Sequence, residues 1–117
     1  MVKTVTVEQL ANICSLDIVQ GGDSLKNAVT GGYCGDLLSW VMGRATGGSA
    51  WITVMGNENA VAVAVLAEVA CIILAQGAAL DVQAAVRAQE NSVAVLKSGK
   101  GAFDIAVAVA GALRNEC

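Results

Sequence analysis

The chain has 117 residues, a formal net charge of −3 and no histidine. That length suits one domain whose core buries about two thirds of its unfolded surface. The acidic balance excludes the basic face that nucleic acid requires, and a chain without histidine lacks a principal zinc ligand.

In chain order, Lys3-Thr4-Val5 reads as a short strand. Thr6 and Gln9 have the spacing of a capping box, and Val7, Leu10, Ala11 and Cys14 share one helical face, which predicts a helix over 7–14. Leu16 to Gln20 follows as a strand, ended by Gly21-Gly22-Asp23. Val29 to Gly35 is a strand or extended loop with three glycines. Asp36 is placed to cap a short helix over 37–42, with Leu37, Leu38, Val41 and Met42 facing inward. A glycine turn over 45–49 leads into Trp51-Ile52-Thr53-Val54, whose aromatic and β-branched run is that of a strand covered on both faces.

Gly56 to Asn59 breaks that strand, and Asn59 is a candidate N-cap. The Ala/Val block after it alternates with period 2, yet Val61, Val65 and Val69 also fall on one helical face. Sixteen unbroken residues from Ala60 to Ala75 far exceed a strand of about 5–6. A helix over 60–70 and a strand over 71–75 follow. The run is also shorter than the about 20 apolar residues of a membrane span, and Glu68 interrupts it. Gly77 ends the strand, and Asp81 caps a helix to Gln89 with Val82, Ala85 and Val86 inside. Val93 to Leu96 is the next strand, Ser98 to Gly101 its loop, and Phe103 to Leu113 the last helix.

This pattern predicts an α/β sandwich with a mostly parallel sheet flanked by helices. Three successive strand–loop–helix units, joined by right-handed crossovers, form a core over 29–117, and residues 1–28 form an N-terminal α/β cap. Cys14, Cys34, Cys71 and Cys117 show neither Cys-x-x-Cys nor finger spacing. The first ten residues carry no apolar signal-peptide core, so free thiols in a soluble cytoplasmic protein are expected, away from any membrane.

Strand-to-helix loops of such a sheet emerge at one edge, beside helix N-termini with free N–H groups. Thr30-Gly31-Gly32, Asn57 to Asn59 and Lys100 are the polar features expected to converge there as a candidate anion site. The phosphate-loop pattern fails, because Ala94 stands where the first glycine belongs. Asp36 and Glu58 could act as a carboxylate pair or hold Mg²⁺, but a helix cap and a surface charge explain them more simply. No catalytic residue, metal or cofactor is implied. The helices from Ala60 and Phe103 are apolar nearly all round, which a small domain cannot cover by itself. A homodimer is therefore expected.

The stretch from Val29 to Ser39, VTGGYCGDLLS, with Trp51-Ile52-Thr53, Ile72 to Gly77 and Val93 to Leu96, resembles the DRTGG domain. Thr30-Gly31-Gly32 match the end of that signature, while its acidic and basic residues are missing before them, so no role of theirs carries over. Cys71 replaces a glycine expected after the helix; a positive φ there would cost about 1 kcal/mol. The resemblance implies a fold similar to the N-terminal domain of HPr kinase/phosphatase and the substrate-side domain of Mur ligases. It implies a regulatory or dimerisation module, such as those beside CBS domains in certain pyrophosphatases, and no kinase activity. Such a module serves a protein partner or, alternatively, senses a phosphorylated or nucleotide-like anion.

Overall fold

The computed structural model describes residues 4–114. Strand β1 (Val5–Thr6) runs straight into α1 (Val7–Ile13) and pairs antiparallel with β3 (Ala28–Val29). Between them lie β2 (Asp17–Gln20) and a 3₁₀ turn over Gly22–Lys26. The rest alternates: β4 (Gly31–Cys34), α2 (Leu38–Arg44), β5 (Ser49–Thr53), α3 (Glu58–Ala67), β6 (Cys71–Leu74), α4 (Val82–Glu90), β7 (Val95–Lys97) and α5 (Ala102–Leu113). The main sheet has the order β2-β7-β6-β5-β4; β4 to β7 are parallel and β2 is antiparallel to β7. The α/β sandwich is as expected, with four strand–helix units where three were read.

Each parallel strand is added beside its predecessor, so right-handed crossovers stack α2, α3 and α4 on one face. There Trp51, Ile72, Leu74 and Val95 meet Val41 of α2, Val61 and Ala64 of α3, and Ala84 and Ala88 of α4. After β7 the chain turns back, and α5 lies over β4 and β5 on the opposite face. That face sets Ile52, Cys71, Ile73 and Leu96 against Val7 and Leu10 of α1 and Ile105 and Val109 of α5. Adjacent residues of one strand thus feed different cores, which is why β5 and β6 are apolar at every position but Ser49 and Thr53.

Several local expectations change. The stretch 29–35 is two strands, because β3 pairs with β1 while β4 pairs with β5, and Thr30 is the hinge between those partners. β2, placed by sequence in the N-terminal cap, is a strand of the main sheet. Asp36 does not cap α2; Leu37 occupies the N-cap position without a side-chain bond, and Leu37 and Met42 are exposed. Asn57, not Asn59, caps α3, its Oδ1 accepting from the Ala60 N–H at 2.9 Å. α3 stops at Ala67, where Glu68 adopts the left-handed conformation (φ 56°). The residue expected there, Cys71, lies instead within β6, fully buried. Asp81 caps α4 as read, but Ala84 and Ala88 face the core while Val82 and Val86 are exposed. Trp51, Ile72 and Leu74 already fill that layer, so the helix closes on it with methyl-sized side chains. The capping box of Thr6 and Gln9 is present in full. The strand read at 3–5 is observed as Val5–Thr6; Lys3 and Cys117 lie outside the described residues.

Candidate functional site

Four loops leave the sheet at the carboxyl ends of the parallel strands, and side-chain and backbone hydrogen bonds lock them to one another. In the loop after β4, the Asp36 carboxylate accepts the Thr53 hydroxyl at 2.7 Å and the Val54 N–H at 3.0 Å, tying that loop to the end of β5. The Gly35 carbonyl accepts the indole N–H of buried Trp51 at 2.8 Å. Gly56, after β5, accepts the Asp81 N–H, and a Cβ built on it would lie 2.0 Å from the Ala79 carbonyl oxygen. No side chain fits at that crossing of the β5 and β6 loops. Gln76 and Gly77, both left-handed, donate to the carbonyls of Lys100 and Ser98.

This edge gathers part of the polar set named from sequence. Asn57 stands there as the α3 cap and Lys100 as the exposed residue before Gly101, the N-cap of α5. Gly101 offers no side-chain bond to the first turn of α5, and Gln76 Nε2 lies 4.0 Å from where its Cβ would be. The loop near Lys100 therefore combines one cation, an amide and open backbone N–H groups, with Asp104 in the same turn as the opposing charge. Asp36 is at the same edge but leaves β4, three strand spacings from β7, or about 14 Å. Asn59 lies in a groove between α3 and α4 with Glu58, Arg87 and Asn91.

Thr30-Gly31-Gly32 are at the other end of the sheet. Thr30 donates its N–H to the Gly48 carbonyl at 2.9 Å and its hydroxyl to that of Gly47 at 3.4 Å, closing the α2–β5 turn. Gly48 has φ +84°, and a Cβ on it would reach 2.5 Å from the Thr30 hydroxyl oxygen. The Asn27 amide donates to the Ala70 carbonyl and the Ser24 hydroxyl to that of Ser92. The signature-like stretch thus staples turns together at the amino ends of the strands.

The carboxylate pair is not assembled either. Asp36 is held by Thr53 and Val54, and Glu58 pairs with Arg87 at 3.4 Å on the surface. Among the described residues, no three His, Cys, Asp or Glu gather closely enough to hold a metal ion, and no helix is long and apolar enough to cross a membrane. Cys14, Cys34 and Cys71 are free. Burial pushes the Cys71 thiol up to about 12. Desolvation raises Cys14 as well, partly offset by the Lys100 charge, and Cys34 is raised by desolvation and then by Asp36. None of the three is thereby an activated nucleophile.

A second feature was not read from the sequence. A groove of about 470 Å³ runs between the outer edge of β4 and one flank of α5, lined by Gly31, Gly32 and Cys34 against Ala106, Ala110 and Leu113, with Arg114 at its rim. Its strand wall is nearly bare because two successive glycines carry no side chains. Phe103 and Val107, 80% and 58% exposed, continue the apolar surface around α5 at helical spacing from Ala106 and Ala110. The sequence signalled the apolar helix; which strand edge it would border depended on the sheet order.

No protein-family model matches the sequence, and no curated protein matches it. Among solved structures, the fold is similar to the CBS and DRTGG domains of the regulatory region of Clostridium perfringens pyrophosphatase, solved with its activator diadenosine tetraphosphate. The TM-score is 0.73 at 11% identity, covering 92% of this chain and 47% of that one. The chain thus spans about half the length of the solved chain it matches. The fold is DRTGG-like, and at this identity the likeness speaks for the fold.

Proposed function

We propose that the chain is a non-catalytic regulatory or protein-interaction module that associates with a second copy of itself. Residues 1–117 then act as one DRTGG-like unit, to whose main sheet the N-terminal segment contributes β2. The observation that carries this reading is the apolar flank of α5, where Phe103 and Val107 stand in solvent beside the β4 groove. Exposed apolar surface continuous with a groove is characteristic of association sites. The side chains of Asp36 and Asn57 are spent on holding loops rather than left free for chemistry. The likeness to a regulatory region adds support, and the free thiols fit a cytoplasmic setting. Light scattering at micromolar concentration tests the reading: the expected mass is twice that of the chain, and a monomeric mass rejects it.

A second reading has its own observation. The uncapped N-terminus of α5, with Lys100 and Gln76 beside it, favours a phosphorylated or nucleotide-like anion over other small molecules. The pyrophosphatase region was solved with a nucleotide activator, which makes nucleotides the first ligands to try. A melting temperature that rises with a nucleotide or sugar phosphate supports this sensor, and a panel without effect leaves the interaction module.

A further inference from the structure

The outer edge of β4 differs from the opposite edge of the sheet in how it is protected. β2 carries Asp17, has an irregular register between Ile18 and Gln20, and so discourages another strand. β4 is Gly-Gly-Tyr-Cys, without charge, proline or bulge, and among the described residues no strand pairs with its outer side. The Gly35 N–H donates to the Ile52 carbonyl, so Gly35 and Tyr33 turn their backbone groups toward β5. In a parallel ladder the alternate residues face the other way. Gly32 and Cys34 therefore present their N–H and C=O groups outward.

We propose that this edge pairs antiparallel with β4 of a second copy, centred on Tyr33, so that two sheets join into one with α5 packed against its mate. The inference rests on the self-association proposed above and names the surface that carries it. In this register Gly32 of one copy lies opposite Cys34 of the other, and each such pair exchanges both of its backbone bonds. Gly32 lacks a side chain, and even a Cβ there would meet Val109 Cγ1 and the Ala50 carbonyl no closer than 3.7 Å, which leaves room for the opposing cysteine.

The helices fit the same two-fold. Strands across the seam sit about 5 Å apart, and α5 lies over β4 and β5, roughly half a strand spacing inward. The two α5 axes then stand about 10 Å apart, the upper end of ordinary helix packing at about 8–10 Å. The flanks that meet are those lining the groove, where Ala106 and Ala110 permit close approach and Leu113 fills space. Gly32 sits at the level of Val109, so these alanines flank the axis. Four-residue strands alone fall well short of the about 800 Å² per partner of a stable dimer. The remainder comes from α5 with Phe103 and Val107, and from α2 on the other face, which leaves Leu37 and Trp40 exposed. A second copy suits this edge better than an isolated peptide, because it supplies both the strand and the helix that covers α5.

Hydrogen exchange of the unaltered protein, followed by dilution through dissociation, reads the seam directly. The Gly32 and Cys34 amides should be protected in the dimer and lose that protection on dilution, while Tyr33 and Gly35 stay protected throughout. Two variants add to this. In Gly32→Pro the lost N–H points away from β5, so the chain's own ladder survives, and Ala110→Glu sets like charges beside the axis. Each should raise the dimer's dissociation constant about 30-fold or more; if Gly32→Pro does not fold, Ala110→Glu and the exchange data decide. A dimer whose Gly32 and Cys34 amides exchange freely, or one that Ala110→Glu leaves as tight as before, overturns this interface but keeps the self-association reading. A chain that is monomeric at every concentration overturns both.

Discussion

On one face of the main sheet three helices lie side by side, whereas among the described residues α1 and α5, with the small β1–β3 pair, cover the other. The difference follows from connectivity. Each crossover between neighbouring parallel strands adds a helix to the same face, and the opposite face receives what the two chain ends supply. Side-chain size follows the cover. The three-helix face holds Trp51, Ile72, Leu74 and Val95, and the two-helix face mixes Ile52, Ile73 and Leu96 with Ala50, Cys71 and Ala94. At β4 the thinner layer stops short, and the groove beside α5 is what it leaves.

If the three-helix face is the rigid one, its largest side chain should be the costliest to remove. Trp51 is fully buried and donates its indole N–H to Gly35, which fixes the loop carrying Asp36. Trp51→Ala leaves a cavity and an unpaired carbonyl, a loss of about 4–5 kcal/mol. Denaturant unfolding checks it, and a loss near 1 kcal/mol would show that this face repacks freely. Gly56→Val comes next. Its Cβ would lie 2.0 Å from the Ala79 carbonyl, which is backbone and cannot swing away. The loops after β5 and β6 must part, at a cost of about 3 kcal/mol, read by the same method.

On the two-helix face the discriminating group is Cys71. Its thiol is raised to about 12 in the folded chain from an ordinary 9.0, entirely through burial. The folded state therefore keeps a proton that the unfolded state gives up. The stability linked to it is fully present below pH 9 and is lost as pH rises from there toward 12, by about 1.4 kcal/mol per pH unit. Cys71→Ala should flatten that part of the pH profile relative to the parent chain. Parallel profiles for the two proteins would mean that solvent reaches this face.

The parts legible from sequence are those decided locally or by burial on both sides. Trp51-Ile52 and Cys71 to Leu74 are continuous apolar runs because two cores claim alternate residues. Thr6 with Gln9, and Asp81, cap helices within three residues of themselves. The unread parts depend on distant partners. Asp36 looked like a cap because its true partner, Thr53, is 17 residues away. Thr30 divides two strands that differ in their pairing, which no local pattern reports. The expected convergence of Thr30-Gly31-Gly32 with Lys100 fails on strand direction. Thr30 precedes β4 and Gly31 and Gly32 open it, while Lys100 follows β7, so about 10 Å or more of strand length separates them. The cap falls two residues before Asn59, which leaves Asn59 inside the first turn of α3 and on the α3–α4 groove.

The smallest expected effect on folding lies at the open flank, and it separates packing from association. Phe103 is 80% exposed on α5, so Phe103→Ser removes little that the isolated chain buries. Its unfolding free energy, measured at concentrations where the chain is monomeric, should change by less than about 0.5 kcal/mol. The mass at higher concentration should nonetheless fall toward that of one chain, because in the proposed dimer this side chain lies on the surface that a second copy covers. A large loss of monomer stability would place Phe103 in the core of the two-helix face instead, and the contrast between the faces would disappear.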